Sequence, residues 1–273
     1  MTEAARPSAL TRAAWSALAD ALDGPPSPER LAAALRLLAK WRSQMLANTV
    51  RTRDGDVIGS GPFEGMIYGV AASEGGYVPR RLGAYEAGLA PVIEEIVLAE
   101  YPKILDIGCA EGYYAVGLAR RMPEARILAH DSDARARALC ADLARANGVE
   151  ERIEIGGEID HAELDARAVP GTLILCDIEG AEGTLLDPDA APALRQCDIL
   201  VEVHETFRPG LVTALSGRFA RSHDITRIDR TLVPDALPGW AETLSDLDRL
   251  LMLWEWRAGP TPWLWMKSRK SAG

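Results

Sequence analysis

The 273-residue sequence predicts an α/β fold, with a seven-stranded, mostly parallel sheet, helices on both faces, and an N-terminal helical extension. Three observations predict it. From Lys103 onward, strand-length apolar runs alternate with helical stretches, the rhythm of parallel strands joined by crossover helices. The first strand runs straight into a small-residue turn, Asp106-x-Gly108-x-x-x-Gly112, and then into a helix. After five alternating units the chain closes on a hairpin-like pair of strands, which calls for one antiparallel strand at the sheet edge. Residues 1–80 read as the extension with a Gly-rich, lid-like segment, and residues 81–273 as the main domain.

Composition narrows the class. Forty acidic against thirty basic side chains leave a formal charge of -10, which argues against a nucleic-acid partner. No apolar run approaches the roughly 20 residues of a membrane span, and no secretory signal is evident. The cysteines Cys109, Cys140, Cys176 and Cys197 are scattered without a Cys-x-x-Cys pair. They read as reduced packing residues of a cytoplasmic protein.

The elements follow in order. Ala14, Trp15, Leu18 and Leu22 recur at helical spacing within residues 1–23. Gly24-Pro25-Pro26-Ser27-Pro28 interrupts, with Ser27 placed to cap a second helix and Pro28 at its first position. That helix carries Leu31, Leu35, Leu38 and Met45. Both helices must bury their apolar faces, either on the main domain or on a second subunit of a homodimer. Residues 51–80 are Gly-rich and irregular: either a surface connector or a lid with Phe63, Met66 and Tyr68 facing substrate. Leu82–Glu100 reads as an amphipathic helix. Strands follow at Lys103–Ile107, Arg126–His130, Arg152–Ile155, Thr172–Cys176, Ile199–Val203, Asp224–Ile228 and Thr261–Met266. Helices are expected at Ala115–Arg121, Ala134–Asn147 (stopped by Asn147-Gly148), Leu211–Ala220 and Ala241–Trp256. Trp263 and Trp265 share one sheet face by alternation and read as core.

The turn after the first strand carries the first chemical signal. Glycines at 108 and 112 let backbone approach a ligand closely, and the helix behind them offers unpaired N–H groups. Asp106 suits a cation better than a pyrophosphate, and the loop does not match the dinucleotide pattern Gly-x-Gly-x-x-Gly. S-adenosylmethionine, with its sulfonium and α-ammonium, fits. Cys109, Ala110 and Tyr113 complete the loop. Asp131 ends the second strand, where an acid meets ribose hydroxyls, with Ser132 beside it. Asp133 is either the true partner or a helix N-cap.

With these residues and the run Asp177-Ile178-Glu179-Gly180-Ala181-Glu182, the chain resembles class I S-adenosylmethionine-dependent methyltransferases, whose fold is Rossmann-like. Within that superfamily it looks like the FkbM-type group, which largely methylates hydroxyls of natural products and sugars. The resemblance spans Ile104 to Glu205 and includes Gly183-Thr184-Leu185-Leu186; Ala110 departs from it where many members have a third loop glycine. It implies a small-molecule acceptor and roles at the ends of the fourth and fifth strands. Asp177 would serve both cofactor and chemistry, with Glu179 and His204 as further catalytic candidates. His204 would be the base, since its ordinary pKa of about 6.5 sits near working pH. The alternative readings are that His204 merely bonds backbone and that Glu179 merely caps a helix. Asp177, Glu202 and Glu205 could instead hold Mg²⁺, which prefers oxygen ligands. His130 would shape the cofactor wall, and His161 and His223 would lie in surface loops. A cofactor-binding module without turnover, a protein or RNA methyltransferase, and a nicotinamide-dependent oxidoreductase are the competing functions.

Overall fold

The computed structural model of the chain describes residues 7–70, 72, 76–257 and 259–269. The apolar runs form the expected seven-stranded sheet. Strands β1 (Lys103–Ile107), β2 (Arg126–His130), β3 (Ile153–Gly156), β4 (Thr172–Cys176) and β5 (Asp198–Glu202) are parallel. With β6 (His223–Ile228) and β7 (Trp263–Ser268) the order is β3-β2-β1-β4-β5-β7-β6. The antiparallel strand is not at the edge, as expected, but one place in: β7 pairs with both β5 and β6. Burial explains the placement. Trp263, Leu264, Trp265 and Met266 are all buried, whereas His223 alone is buried in β6, so the more apolar strand takes the inner position.

Side-chain alternation divides the core into two layers. Ile104, Ile127, Leu173, Leu200 and both β7 tryptophans face one cluster, packed by α4 (Ala90–Ala99), α5 (Tyr113–Arg121) and α6 (Ala134–Ala146). Leu105, Leu128, Ile174 and Ile199 face the other, packed by α7 (His161–Arg167) and α9 (Leu211–Phe219). The four cysteines are buried and unpaired. Strand order reverses between β1 and β4, and open α/β sheets bind ligands at that switch point.

The N-terminal helices form as predicted but bury less than expected. Ser8 caps α1 (Ala9–Leu22), and Ser27 caps α2 (Pro28–Asp54) with proline in its first turn. No residue of α1 is buried, and Trp15 is 75% exposed, Leu31 63% and Leu35 70%. α2 docks by its C-terminal half instead. Leu46 and Val50 join a third cluster with α3 (Tyr77–Leu82) and α10 (Asp246–Met252), and Arg42 grips Asp248 with two bonds of 2.7 Å.

Several boundaries shift for identifiable reasons. α2 runs on through 51–54 until Gly55 at φ +71°, although those residues were expected to be irregular. The single helix expected over 82–100 is broken at Gly83, whose φ of +79° and contact with Ser60 leave no room for a Cβ. α10 covers only part of 241–256. Phe63, Met66 and Tyr68, which could have faced substrate, are at most 2% exposed and sit in the core; the Phe63 ring presses on Gly117 of α5. His223, expected in a surface loop, is buried at the start of β6 with Nε2 2.8 Å from the Cys197 carbonyl. Among the described residues, no helix is long and apolar enough to cross a membrane.

Candidate active site

At the carboxyl edge of the sheet, over the β1–β4 switch point, lies a cavity of 470 Å³. Its wall includes Gly108 and Ala110 from the β1–α5 loop, His130, Asp131 and Ser132 from the end of β2, and Asp177 and Glu179 beyond β4. The loop stays close to the sheet because Gly108 has φ +84°, and a Cβ there would fall 1.7 Å from the Asp177 carbonyl oxygen. The Gly108 and Cys109 N–H groups donate to the His130 carbonyl at 2.8 and 3.0 Å, tying β1 to β2 at the mouth. Asp131 accepts from Ala110 N–H at 2.9 Å and from Asp133 N–H at 2.8 Å. A carboxylate has roughly four acceptor sites, so Asp131 can still take ligand hydroxyls. Asp133 caps α6 through Arg135 N–H at 2.8 Å and is spent there. His130 holds the Gly157 carbonyl at 2.9 Å and shapes the wall.

Four expected loop contacts lie behind the cavity rather than in its wall. Gly112, at φ +91°, is needed because a Cβ would meet Cys140 Sγ at 2.7 Å, so it serves helix packing. Cys109 and Tyr113 are buried in the core beneath the loop. Asp106 is 1% exposed, and neither carboxylate oxygen has a hydrogen-bond partner among the described residues. Burial, with the charge of Asp131 adding to it, pushes its pKa up to about 7.

Beside this cavity, and sharing Tyr85, Asp177 and Glu179 with it, is a smaller chamber of 170 Å³. Its centre is His204, just past β5 and 3% exposed. Nδ1 lies 2.6 Å from Glu182 Oε1, on the wholly buried first residue of α8 (Glu182–Leu185). The same oxygen accepts from the N–H groups of Ile178 (3.3 Å) and Gly180 (3.1 Å), so Glu182 and not Glu179 braces this turn. On the other side, Nε2 faces Glu179 Oε2 at 3.4 Å, Asp177 Oδ1 at 3.7 Å and Glu202 Oε2 at 3.7 Å, all beyond ordinary hydrogen-bond length. Burial opposes a charge on His204, but the Glu182 bond and the charges of Glu202, Glu182 and Glu179 outweigh it, so its pKa is raised above 6.5. Burial and Glu202 push Asp177 well above the usual carboxylate range.

The expected metal set Asp177, Glu202 and Glu205 does not assemble. Glu205 turns away and accepts from Gly210 N–H at 2.8 Å and Val212 N–H at 2.6 Å, closing the exposed N–H groups of α9. Glu202 is bound by Arg257, which also reaches Glu86 and, at 2.9 Å, Glu255. Two of the three expected ligands are therefore already engaged elsewhere. The group that could hold an ion is Asp177, Glu179 and His204, whose ligand atoms all lie within 4.8 Å of one another.

Sequence reasoning missed Glu182 as a partner, although it stands in the quoted Asp177–Glu182 run. It also missed Tyr85, Glu86 and Arg257, which come from stretches with no motif and reach the site only through tertiary packing.

No protein-family model and no curated protein sequence matches the chain. Among solved structures it is similar to an O-methyltransferase from Bacillus cereus in complex with SAH, at 12% identity and TM-score 0.45, covering 94% of this chain and 96% of that one. It is also similar to the O-methyltransferase TomG from Streptomyces achromogenes, involved in tomaymycin synthesis and in complex with SAM. There the identity is 14% and the TM-score 0.43, over 64% of this chain and 77% of that one.

Proposed function

We propose that the chain is an S-adenosylmethionine-dependent methyltransferase that transfers a methyl group to a hydroxyl oxygen of a small molecule. The observation that carries the reading is the lining of the large cavity. It sets five carboxylates, Asp131, Glu158, Asp160, Asp177 and Glu179, against one guanidinium, Arg80, which is itself paired with Glu111. A pyrophosphate would be repelled there, which disfavours a nicotinamide dinucleotide; a nucleoside with a cationic head is drawn in. The volume of 470 Å³ falls within the range of small-molecule sites.

In this reading Asp131 and Ser132 hold the ribose, Ile159 and Leu185 supply apolar wall for the base, and the Gly108–Ala110 backbone supports the aminoacyl end. Bound there, the cofactor supplies a methyl carbon activated by its sulfonium. Asp177 and Glu179, on the border between the two spaces, orient the acceptor toward that carbon. His204 Nε2 takes the proton of the acceptor hydroxyl, and Glu182 holds the ring's tautomer and stabilises the imidazolium that forms.

A divalent ion is the second reading of the same corner, favoured by the 4.8 Å grouping of Asp177, Glu179 and His204. Two carboxylates and one imidazole suit Mn²⁺ or Fe²⁺ as well as Mg²⁺. Activity that survives exhaustive chelation rejects it. The cofactor assignment is tested by calorimetry. S-adenosylmethionine and its demethylated product are expected to bind at micromolar concentration, and Asp131→Ala to weaken both at least tenfold. Absence of binding by either at millimolar concentration overturns the proposal.

A further inference from the structure

The 170 Å³ chamber has an unusual charge balance. It presents Asp177, Glu179, Glu202 and Glu255. Arg257 neutralises two of them. Its Nη1 binds Glu202 and, at 2.5 Å, Thr261 Oγ1, while Nε binds Glu255 at 2.9 Å and Nη2 binds Glu86. The other guanidinium in the wall, Arg36, gives its Nη2 to the Trp256 carbonyl at 2.9 Å. Among the described residues, Asp177 and Glu179 face the His204 ring, at 3.7 and 3.4 Å, and Glu202 crowds Asp177.

A second observation points the same way. Asp177 Oδ1 is a buried oxygen with no hydrogen-bond partner among the described residues. The His204 side chain is 4% exposed, and its Nε2 faces carboxylates that all stand too far off for a hydrogen bond. Buried polar atoms are satisfied in folded proteins, so this corner is shaped for a group with several N–H donors and a positive charge. Tyr85, Phe207 and Trp256 wall the rest, and Phe207 stacks on the His204 ring with centroids 5.8 Å apart. Aromatic faces attract cations and accept flat rings. A cavity of about 150 Å³ admits one benzene-sized ring, and this one is of that order.

We propose that the chamber takes a single-ring acceptor bearing a protonated amine beside its hydroxyl: the ammonium seats between Asp177 and Glu179, and the hydroxyl reaches His204 Nε2. The assignment rests on the methyltransferase reading, in which this chamber is the acceptor site. It excludes carboxylate- and phosphate-bearing acceptors, which would bring a further acid up against Asp177, Glu179 and Glu202.

The test is calorimetry at pH 7.5 on full-length protein saturated with the demethylated cofactor. The panel consists of single-ring amines with a hydroxyl ortho to an aminomethyl arm, each paired with its N-acetyl derivative, with 2-hydroxybenzylamine and its N-acetyl derivative as the first pair. The amine is expected to bind at least tenfold more tightly than its amide. Glu179→Gln should bring the ratio below threefold. Amides binding as tightly as amines, or no amine binding by millimolar concentration, overturns the assignment. So does Mn²⁺ or Mg²⁺ tightening the amides while displacing the amines, because the corner then belongs to a metal. Failure of the demethylated cofactor to bind strikes the methyltransferase reading; its binding without any amine preference strikes the acceptor assignment alone.

Discussion

A carboxylate 2.6 Å from one nitrogen of His204 decides how the other nitrogen behaves. Glu182 is wholly buried, and the His204 bond together with the Gly180 N–H lowers its pKa despite burial, so it is ionised through the working range. It raises the His204 pKa, and the base is therefore free only on the alkaline side of its titration. Glu182→Gln removes the charge but keeps the shape. The acid limb of the rate profile is expected to move to lower pH and the plateau rate to fall by up to about a hundred- to ten-thousandfold, the usual size of a whole acid–base contribution. A limb that stays in place means that His204 is not the titrating base. Asp106 makes an opposite prediction, about stability. Its folded pKa of about 7 lies above the unfolded carboxylate value near 3.9, so the folded state is the one that holds the proton. Ionisation destabilises the fold progressively as pH rises from about 4 to 7, by a few kcal/mol when complete. Asp106→Asn should melt higher than the parent at pH 8, with the difference closing toward pH 4. A pH-independent difference removes burial of the charge as the cause.

At the scale of elements, helix termini consume residues that the sequence offers to a site. Glu205 resembles a metal ligand in a linear reading because it follows β5 closely. Its two oxygens instead bond the Gly210 and Val212 N–H groups at the start of α9, where capping contributes about 0.5–2 kcal/mol. Glu205→Ala is expected to lower stability by about that amount in urea titration while turnover per folded molecule is unchanged. Loss of turnover without loss of stability would return Glu205 to the site. The same distinction explains what was legible beforehand. Alternation of strand and helix, the Gly108 turn and the acid at 131 are local patterns, and each lands where its spacing puts it. The pairing of His204 with Glu182 depends on how the fold brings the start of α8 to the residue just past β5, and nothing in the periodicity of either encodes it. Likewise, alternation brings Glu202 to the cavity edge but cannot reveal that Arg257, 55 residues later, neutralises it. The antiparallel strand was legible as an element and illegible as a position, because its place depends on comparing the apolarity of two strands that follow one another.

For the molecule as a whole, Arg257 is the point where distant segments meet. Its side chain is 13% exposed and binds Glu86 ahead of α4, Glu202 at the end of β5 and Glu255 ahead of β7. Glu86 also accepts from the Tyr114 hydroxyl of α5, so four parts of the chain share one cation. The arrangement holds the wall of the small chamber in place through charge instead of apolar packing. Removing one partner of a buried ion pair leaves uncompensated charge and costs about 3–5 kcal/mol. Arg257→Met keeps much of the side chain's volume and strands three carboxylates. Glu86 already has a pKa of about 7 in the folded protein, mainly from burial, and loss of its cation drives it higher. Protonation of Glu86 then relieves the variant as pH falls toward about 7, below which the parent takes up the same proton and the deficit stops changing. Chemical denaturation across pH 7–9 should show the deficit of Arg257→Met largest at pH 9 and reduced at pH 7. A deficit equal at both ends would mean that Arg257 contributes by packing, and that the chamber wall does not depend on its charge.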